Sequence, residues 1–216
     1  MTNSEFFMGY IDSGENSASL QGLREFATQQ CALPEPILLL GQSGIGKTYL
    51  LRAIHKRIED TILGARVLYQ MGVDTVDSMI SQIYKEQRPE ALPCYQGLDA
   101  FLVDDLSCLR GKESTQQEIL MLFDFLRKQN VLVLCTSLSG TIEQEYFASR
   151  FQGAILDLAP FSDASMRRMI RRKAAEYGLD LTEGQIRRIM IKAAGNGSLI
   201  EGAVKRYAFQ VSAVCQ

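Results

Sequence analysis

Ile37-Leu38-Leu39-Leu40-Gly41-Gln42-Ser43-Gly44-Ile45-Gly46-Lys47-Thr48 joins a wholly apolar run to a glycine-rich turn. A helical pattern follows, with Leu50, Leu51, Ile54 and Ile58 on its inner face. A short apolar run without alternation suits a strand buried on both faces of a parallel sheet. Gly41 to Thr48 satisfies G-x-x-x-x-G-K-[ST], the phosphate-binding loop, and it lies between strand and helix as that motif requires. Glycines let successive N–H groups converge on phosphate oxygens, and the following helix adds the positive end of its dipole. The residues expected to hold ATP or ADP are therefore Gly41, Gln42, Ser43, Gly44, Ile45, Gly46, Lys47, Thr48 and the adjoining Tyr49. Lys47 is expected to reach the β- and γ-phosphates, and the Thr48 hydroxyl to ligate Mg²⁺.

Phe101-Leu102-Val103-Asp104-Asp105 is a second apolar run, ending in two carboxylates. In a parallel sheet such an end lies beside the loop after the first strand. Asp104 is then placed to hold Mg²⁺, and Asp105 to orient or deprotonate an attacking water.

Strand and helix patterns alternate through most of the chain. Strands are expected at 37–40, 65–69, 100–103, 131–135 and 155–158, with helices at 20–30, 47–59, 76–84 and 115–128 between them. A polar loop spans 86–96, and residues 1–16 read as an irregular lead-in. After Pro160 only helical stretches follow, at about 163–177, 182–194 and 198–213. This predicts an α/β fold: a five-stranded parallel sheet flanked by helices, with a small C-terminal three-helix lid. The expected division is a nucleotide-binding core at 1–160 and a lid at 161–216.

Composition removes several function classes. With 23 Lys and Arg against 25 Asp and Glu, the net charge of −2 gives no overall attraction for nucleic acid. The five cysteines form no CxxC pair, and His55 is the only histidine, so no zinc quartet is expected. The N-terminus lacks the pattern of a signal peptide, and no run of about 18 apolar residues exists. A cytoplasmic protein without membrane contact is the expectation.

Leu98 to Leu126 resembles the acidic-strand segment of the bacterial DnaA/Hda family of AAA+ ATPases. The most specific part is Gly111-Lys112-Glu113-Ser114-Thr115-Gln116-Gln117-Glu118. Ser149-Arg150-Phe151 is similar to that family's arginine-finger box, Leu199-Ile200-Glu201-Gly202-Ala203 to its lid helix, and Gly14-Glu15-Asn16 to its adenine-side motif. The resemblance implies an AAA+ core in which Arg150 reaches a neighbour's γ-phosphate, with Asp105, Arg150 and Lys47 as the catalytic set. It also implies that Thr136 or Ser137 senses the γ-phosphate, although Thr136-Ser137-Leu138 stands where the family usually has Thr-Ser-Asp. Ser198 occupies the place of the family's ATP-sensing lid arginine.

A core ending after the lid is the profile of an Hda-type regulator of replication initiation, so duplex DNA is not an expected partner. The implied partner is a DnaA-type initiator, with the sliding clamp, the replicative helicase and a second copy of the chain as further candidates. Asn3-Ser4-Glu5-Phe6-Phe7 is the nearest match to the family's clamp-binding peptide, and burial of Phe6 and Phe7 is the alternative. The expected activity is weak ATP hydrolysis or stimulation of a partner's ATPase. Two rivals are a DnaC-type helicase loader binding single-stranded DNA, and a nucleotide-bound adaptor without turnover. Met166 to Lys173 is the most basic stretch and reads either as a phosphate-binding face or as a solvated helix face balanced by Asp163, Glu176 and Asp180.

Overall fold

The computed structural model describes residues 3–30, 33–83, 93–142 and 146–214. Five parallel strands form one sheet: β1 (Ile37–Gly41), β2 (Val67–Met71), β3 (Ala100–Asp104), β4 (Leu132–Leu138) and β5 (Ala154–Leu158), in the order β2-β3-β4-β1-β5. Every residue of β1 and β3 is buried, whereas the edge strands β2 and β5 are only partly covered. That is why the two central strands read as unbroken apolar runs. The chain leaves β1, crosses to the far edge at β2, and returns on the other side of β1 as β5. β1 therefore lies where the strand order reverses, and the carboxyl ends of the strands open a crevice there.

Helices cover both faces. On one, α2 (Ser17–Ala27) and α3 (Lys47–Thr61) pack onto alternate residues such as Ile37, Leu39, Leu102 and Leu134. The same apolar cluster runs on into α7 (Asp163–Glu176), α8 (Glu183–Ala193) and α9 (Gly197–Val214), so the three-helix lid shares a core with the sheet. On the other face, Leu38, Leu40, Phe101 and Val103 meet α4 (Gly72–Ile83), α5 (Glu113–Lys128) and α6 (Tyr146–Arg150). The expected strands and helices are present, displaced by a few residues at their ends. The short α6 and the 3₁₀ turn at Leu106–Leu109 carry no helical periodicity and were not expected. Most of the loop expected at 86–96 lies outside the described residues.

The lid helices begin with side-chain caps. Ser162 accepts a hydrogen bond from the Ser165 N–H at 3.1 Å, and Thr182 forms a reciprocal capping box with Gln185. Such caps satisfy orphan amides that packing alone leaves open.

Packing decides between two pairs of alternatives left open by the sequence. Apart from the short α1 (Asn3–Phe6) the lead-in is irregular as expected, and it is packed: Phe6, Phe7 and Tyr10 are 5%, 0% and 5% exposed. Arg24 and Arg57 flank the Phe6 ring at 5.5 and 5.1 Å, and Arg57 donates to the Phe6 and Glu5 carbonyls. Asn3–Phe7 is thus an internal staple whose aromatic side chains are not presented to a clamp. The basic stretch, in turn, is used intramolecularly. Arg167 and Arg171 both reach Glu183, while Arg168 and Arg172 donate to the carbonyls of Asp12 and Gly9. No helix among the described residues is long and apolar enough to cross a membrane.

Candidate functional site

The strand β1 ends at Gly41, and the chain turns through Gln42–Gly46 before α3 starts at Lys47. Gly44 and Gly46 have φ of +74° and +101°, a region costly for any residue with a side chain. Space excludes side chains as well: a Cβ on Gly44 would lie 2.0 Å from Asn196 Oδ1, and one on Gly46 2.7 Å from the Tyr10 ring. The loop is therefore shaped by its own glycines and by what presses on it. Lys47 is 9% exposed and donates to the carbonyls of Gly41 at 2.6 Å and Gln42 at 3.0 Å. Burial lowers its pKa, and the Asp105 and Asp104 carboxylates pull the other way.

A cavity of about 560 Å³ opens over this loop, of a size that suits a small organic ligand. Ser43, Gly44, Gly46, Lys47, Thr48 and Tyr49 line it from the loop and from α3, and Asp104 and Asp105 from the end of β3. Gly9, Tyr10 and Ile11 enter from the lead-in. Phe161, Met169, Arg172, Lys173, Gly197, Ser198 and Glu201 close the opposite side. The lid touches the loop directly, since the Gly197 N–H donates to the Gly44 carbonyl at 2.8 Å. Its cations are already engaged: Arg172 with the Gly9 carbonyl, and Lys173 with Glu176 at 2.9 Å.

Asp104 is 2% exposed, and both its oxygens accept hydroxyl donors, Thr136 at 2.8 Å and Tyr69 at 2.9 Å. Asp105 takes a positive φ of 62°, gives its N–H to the Thr136 oxygen at 2.9 Å and caps the following turn through the Ser107 N–H. A carboxylate pair and a threonine hydroxyl on one wall are hard oxygen donors, which suit Mg²⁺. Among the described residues no group of three or more His, Cys, Asp or Glu is placed to hold a metal. The protein would therefore supply part of a coordination shell, with phosphate and water completing it, as is usual for Mg²⁺.

The expected site residues divide into four groups. Ser43, Gly44, Gly46, Lys47, Thr48, Tyr49, Asp104 and Asp105 meet on the cavity wall. Gly41, Gln42 and Ile45 do not line it: the first two offer carbonyls to Lys47, and Ile45 is 1% exposed with its carbonyl bonded by Tyr10. Thr136 is fully buried behind Asp104, so its hydroxyl orients the acidic pair instead of facing the cavity, and Ser137 is buried beside Thr141 and Ser107. Arg150 sits apart, exposed at the end of α6 and stacked 5.6 Å from the Tyr146 ring. The buried Gln116, from the stretch 111–118, donates to the Leu109 carbonyl and accepts the Phe147 N–H, tying α6 to the turn after Asp105.

Gly14-Glu15-Asn16 also lies away from the cavity. Asn16 brackets the Ala159 peptide, accepting its N–H at 2.7 Å, while Glu15 accepts the Ser162 N–H at the start of α7. Although burial opposes its charge, hydrogen bonds from Ser165 and from the Glu15, Ser162 and Ser13 amides hold the Glu15 carboxyl at about 2. Tyr10, Ile11 and Tyr69 carry no local motif, and only three-dimensional neighbours reveal them.

Residues 2–155 match the profile of the bacterial DnaA ATPase domain. The chain is 30% identical over 179 residues to the chromosomal replication initiator protein DnaA of Chloroflexus aggregans, covering 80% of this chain and 37% of that protein. The chain spans about a third of the curated relatives it matches, 30% for the DnaA of Corynebacterium jeikeium. Its fold is similar to domain III of Thermotoga maritima DnaA, with a TM-score of 0.80 at 20% identity, covering all of this chain and 92% of that one. A solved replication initiator DnaA bound to AMPPCP and single-stranded DNA matches with a TM-score of 0.75 at 24% identity, over 92% of this chain and 63% of that one. The chain belongs to the family of bacterial DnaA ATPase domains, a DnaA-like AAA+ core of the replication-initiation family.

Proposed function

We propose that the chain binds ATP or ADP with Mg²⁺ and acts as an Hda-type regulator of DnaA-dependent replication initiation in the cytoplasm. The observation that carries this reading is a division of labour. The phosphate loop, Thr48, Asp104 and Asp105 converge on one cavity, whereas Arg150 is exposed on α6, outside it. A cation placed so cannot serve its own chain's nucleotide, but it is available to one held by another molecule. Arginine suits that role because its planar, permanently charged fork matches phosphate oxygens. The DnaA neighbour's AMPPCP supports a nucleotide in the corresponding cavity.

In this reading residues 1–160 form the nucleotide-binding core and 161–216 the lid. Lys47 orients the phosphates, Thr48 and Asp104 hold the Mg²⁺, and Asp105 orients water. Mg²⁺, when bound, neutralises phosphate charge. Occupancy sets how the lid meets the loop at Gly44 and Gly197, and so the surface offered to an initiator partner or to a second copy of the chain. The deciding experiment measures DnaA-type initiator ATPase with and without this chain. Acceleration that disappears in Arg150→Ala supports the reading, and equal acceleration by the variant overturns it.

One observation favours a second reading, a nucleotide-bound adaptor without turnover. Ser198 lines the lid side of the cavity where a cation would sense the third phosphate, and Lys173 beside it is paired with Glu176. ATP turnover above a Lys47→Ala control excludes the adaptor. Salt-dependent binding of single-stranded DNA, the partner of the neighbour named above, favours a helicase-loader role instead.

A further inference from the structure

We propose that Tyr69 is a positioning residue for the acidic pair: with Thr136, its hydroxyl sets the orientation in which Asp104 meets a nucleotide-bound divalent cation. The proposal rests on the Mg²⁺–nucleotide reading above and names residues that reading did not use. Asp104 ends β3, with β2 on one side and β4 on the other. Met71 of β2 is its register partner on that side, and Val103 pairs with Cys135 of β4, which puts Thr136 beside Asp104. Because side chains alternate along strands, Tyr69, Asp104 and Thr136 all project to the α3 face, beside Lys47 and Thr48. Each neighbouring strand thus sends one hydroxyl to one carboxylate oxygen, at 2.9 Å from Tyr69 and 2.8 Å from Thr136.

Two such donors on opposite oxygens fix the carboxylate plane, which an aspartate otherwise leaves broad. Both donors are neutral hydroxyls, so neither brings a positive charge that competes with a cation. Each oxygen also retains a further lone pair, because an ionised carboxylate offers about four acceptor sites. A lysine or arginine in either place would neutralise the charge and compete with the metal. Tyr69 is itself held: its ring lies parallel to His55 within 12° at 6.1 Å. In metal sites, partners of this outer kind typically change metal affinity by about 10- to 100-fold when removed.

The test uses the full chain saturated with ADP, with Mn²⁺ in place of Mg²⁺ and binding read by electron paramagnetic resonance. Tyr69→Phe removes one oxygen atom and is expected to weaken Mn²⁺ about tenfold, with ADP affinity in EDTA unchanged. Thr136→Val should weaken Mn²⁺ similarly, and Thr136→Ser, which restores a hydroxyl, should recover most of the loss. Tyr69→Phe binding Mn²⁺ as tightly as the parent, or more tightly, overturns the proposal. So does an equal loss of ADP affinity in EDTA, which marks a general packing role. A parent chain that binds no ADP even without metal overturns the nucleotide reading itself.

Discussion

The two walls of the cavity are built differently. The core wall is assembled from one short run of chain and one strand end: Ser43, Gly44 and Gly46 to Tyr49, then Asp104 and Asp105. Its hydrogen bonds are mostly local or between neighbouring strands, such as Lys47 to Gly41 or Thr136 to Asp104. The lid wall draws on α7, α9 and the lead-in, and is held by contacts between distant parts of the sequence. Gly197 reaches Gly44, Arg172 reaches Gly9, and Glu15 reaches Ser162. The core wall offers Lys47 and two carboxylates to a ligand. The lid wall offers Ser198, Glu201 and cations already spent on the protein itself. The groups left to meet a ligand's charge thus sit on the core wall, while the lid wall's cations are bonded to the protein itself.

Replacing Lys47 by Ala breaks the core wall and carries the largest expected effect. Losing a charge-assisted contact to phosphate is worth about 1.5–3 kcal/mol, or roughly 10- to 150-fold in affinity for ATP and ADP alike. Titration with a fluorescent nucleotide reads it directly, and an unchanged affinity would place the nucleotide elsewhere. Gly44→Ala attacks the junction of the walls, because its Cβ would meet Asn196 and its φ is +74°. A loss of about 1–3 kcal/mol in unfolding stability is expected, measured by urea titration.

Ser198→Arg sharpens the contrast by giving the lid wall a free cation. It should raise the preference for ATP over ADP about tenfold, because only the triphosphate presents the added charge. Competition of the two nucleotides for one site measures this, and an unchanged ratio shows that Ser198 does not face the third phosphate. The smallest effect concerns the lid's tether to the lead-in. The Glu15 carboxyl is depressed from 4.5 to about 2 in the folded chain. The stability it contributes is therefore present above pH 4.5 and is lost as pH falls towards 2. Glu15→Gln should cost about 1 kcal/mol at neutral pH, and the gap between variant and parent should close across that window. A gap that persists at pH 2 would assign the loss to packing.

Much of the core wall was legible because its determinants are adjacent in sequence. Strand, glycine turn and helix occupy the single stretch 37–61, and the acidic pair closes the apolar run of β3. The five strands were readable for the same reason: burial on both faces leaves an apolar run that needs no partner to be recognised. Where reading failed, the contact was distant or the signal absent. Thr136 was expected to face the phosphates, but the pairing of β4 beside β3 points its hydroxyl at Asp104. Phe6 and Phe7 were readable either as a clamp-binding peptide or as buried residues, and burial, with Arg24 and Arg57 against the Phe6 ring, is what the fold selects. For the basic stretch the balanced helix face is the reading found: Glu176 pairs with Arg172 and Lys173 as expected, whereas Glu183 and two backbone carbonyls are partners that only packing reveals.

By itself, the sequence determined the phosphate loop, the acidic strand end and the order of strands and helices. These depend on residues a few positions apart and on the periods of the backbone. Tertiary structure alone decided that Tyr69 and Thr136 bracket Asp104, that Gly197 meets Gly44, and that Arg150 stands outside its own cavity. Each of these depends on which strands and helices become neighbours after folding, a property of chain topology that no local pattern of residue types encodes.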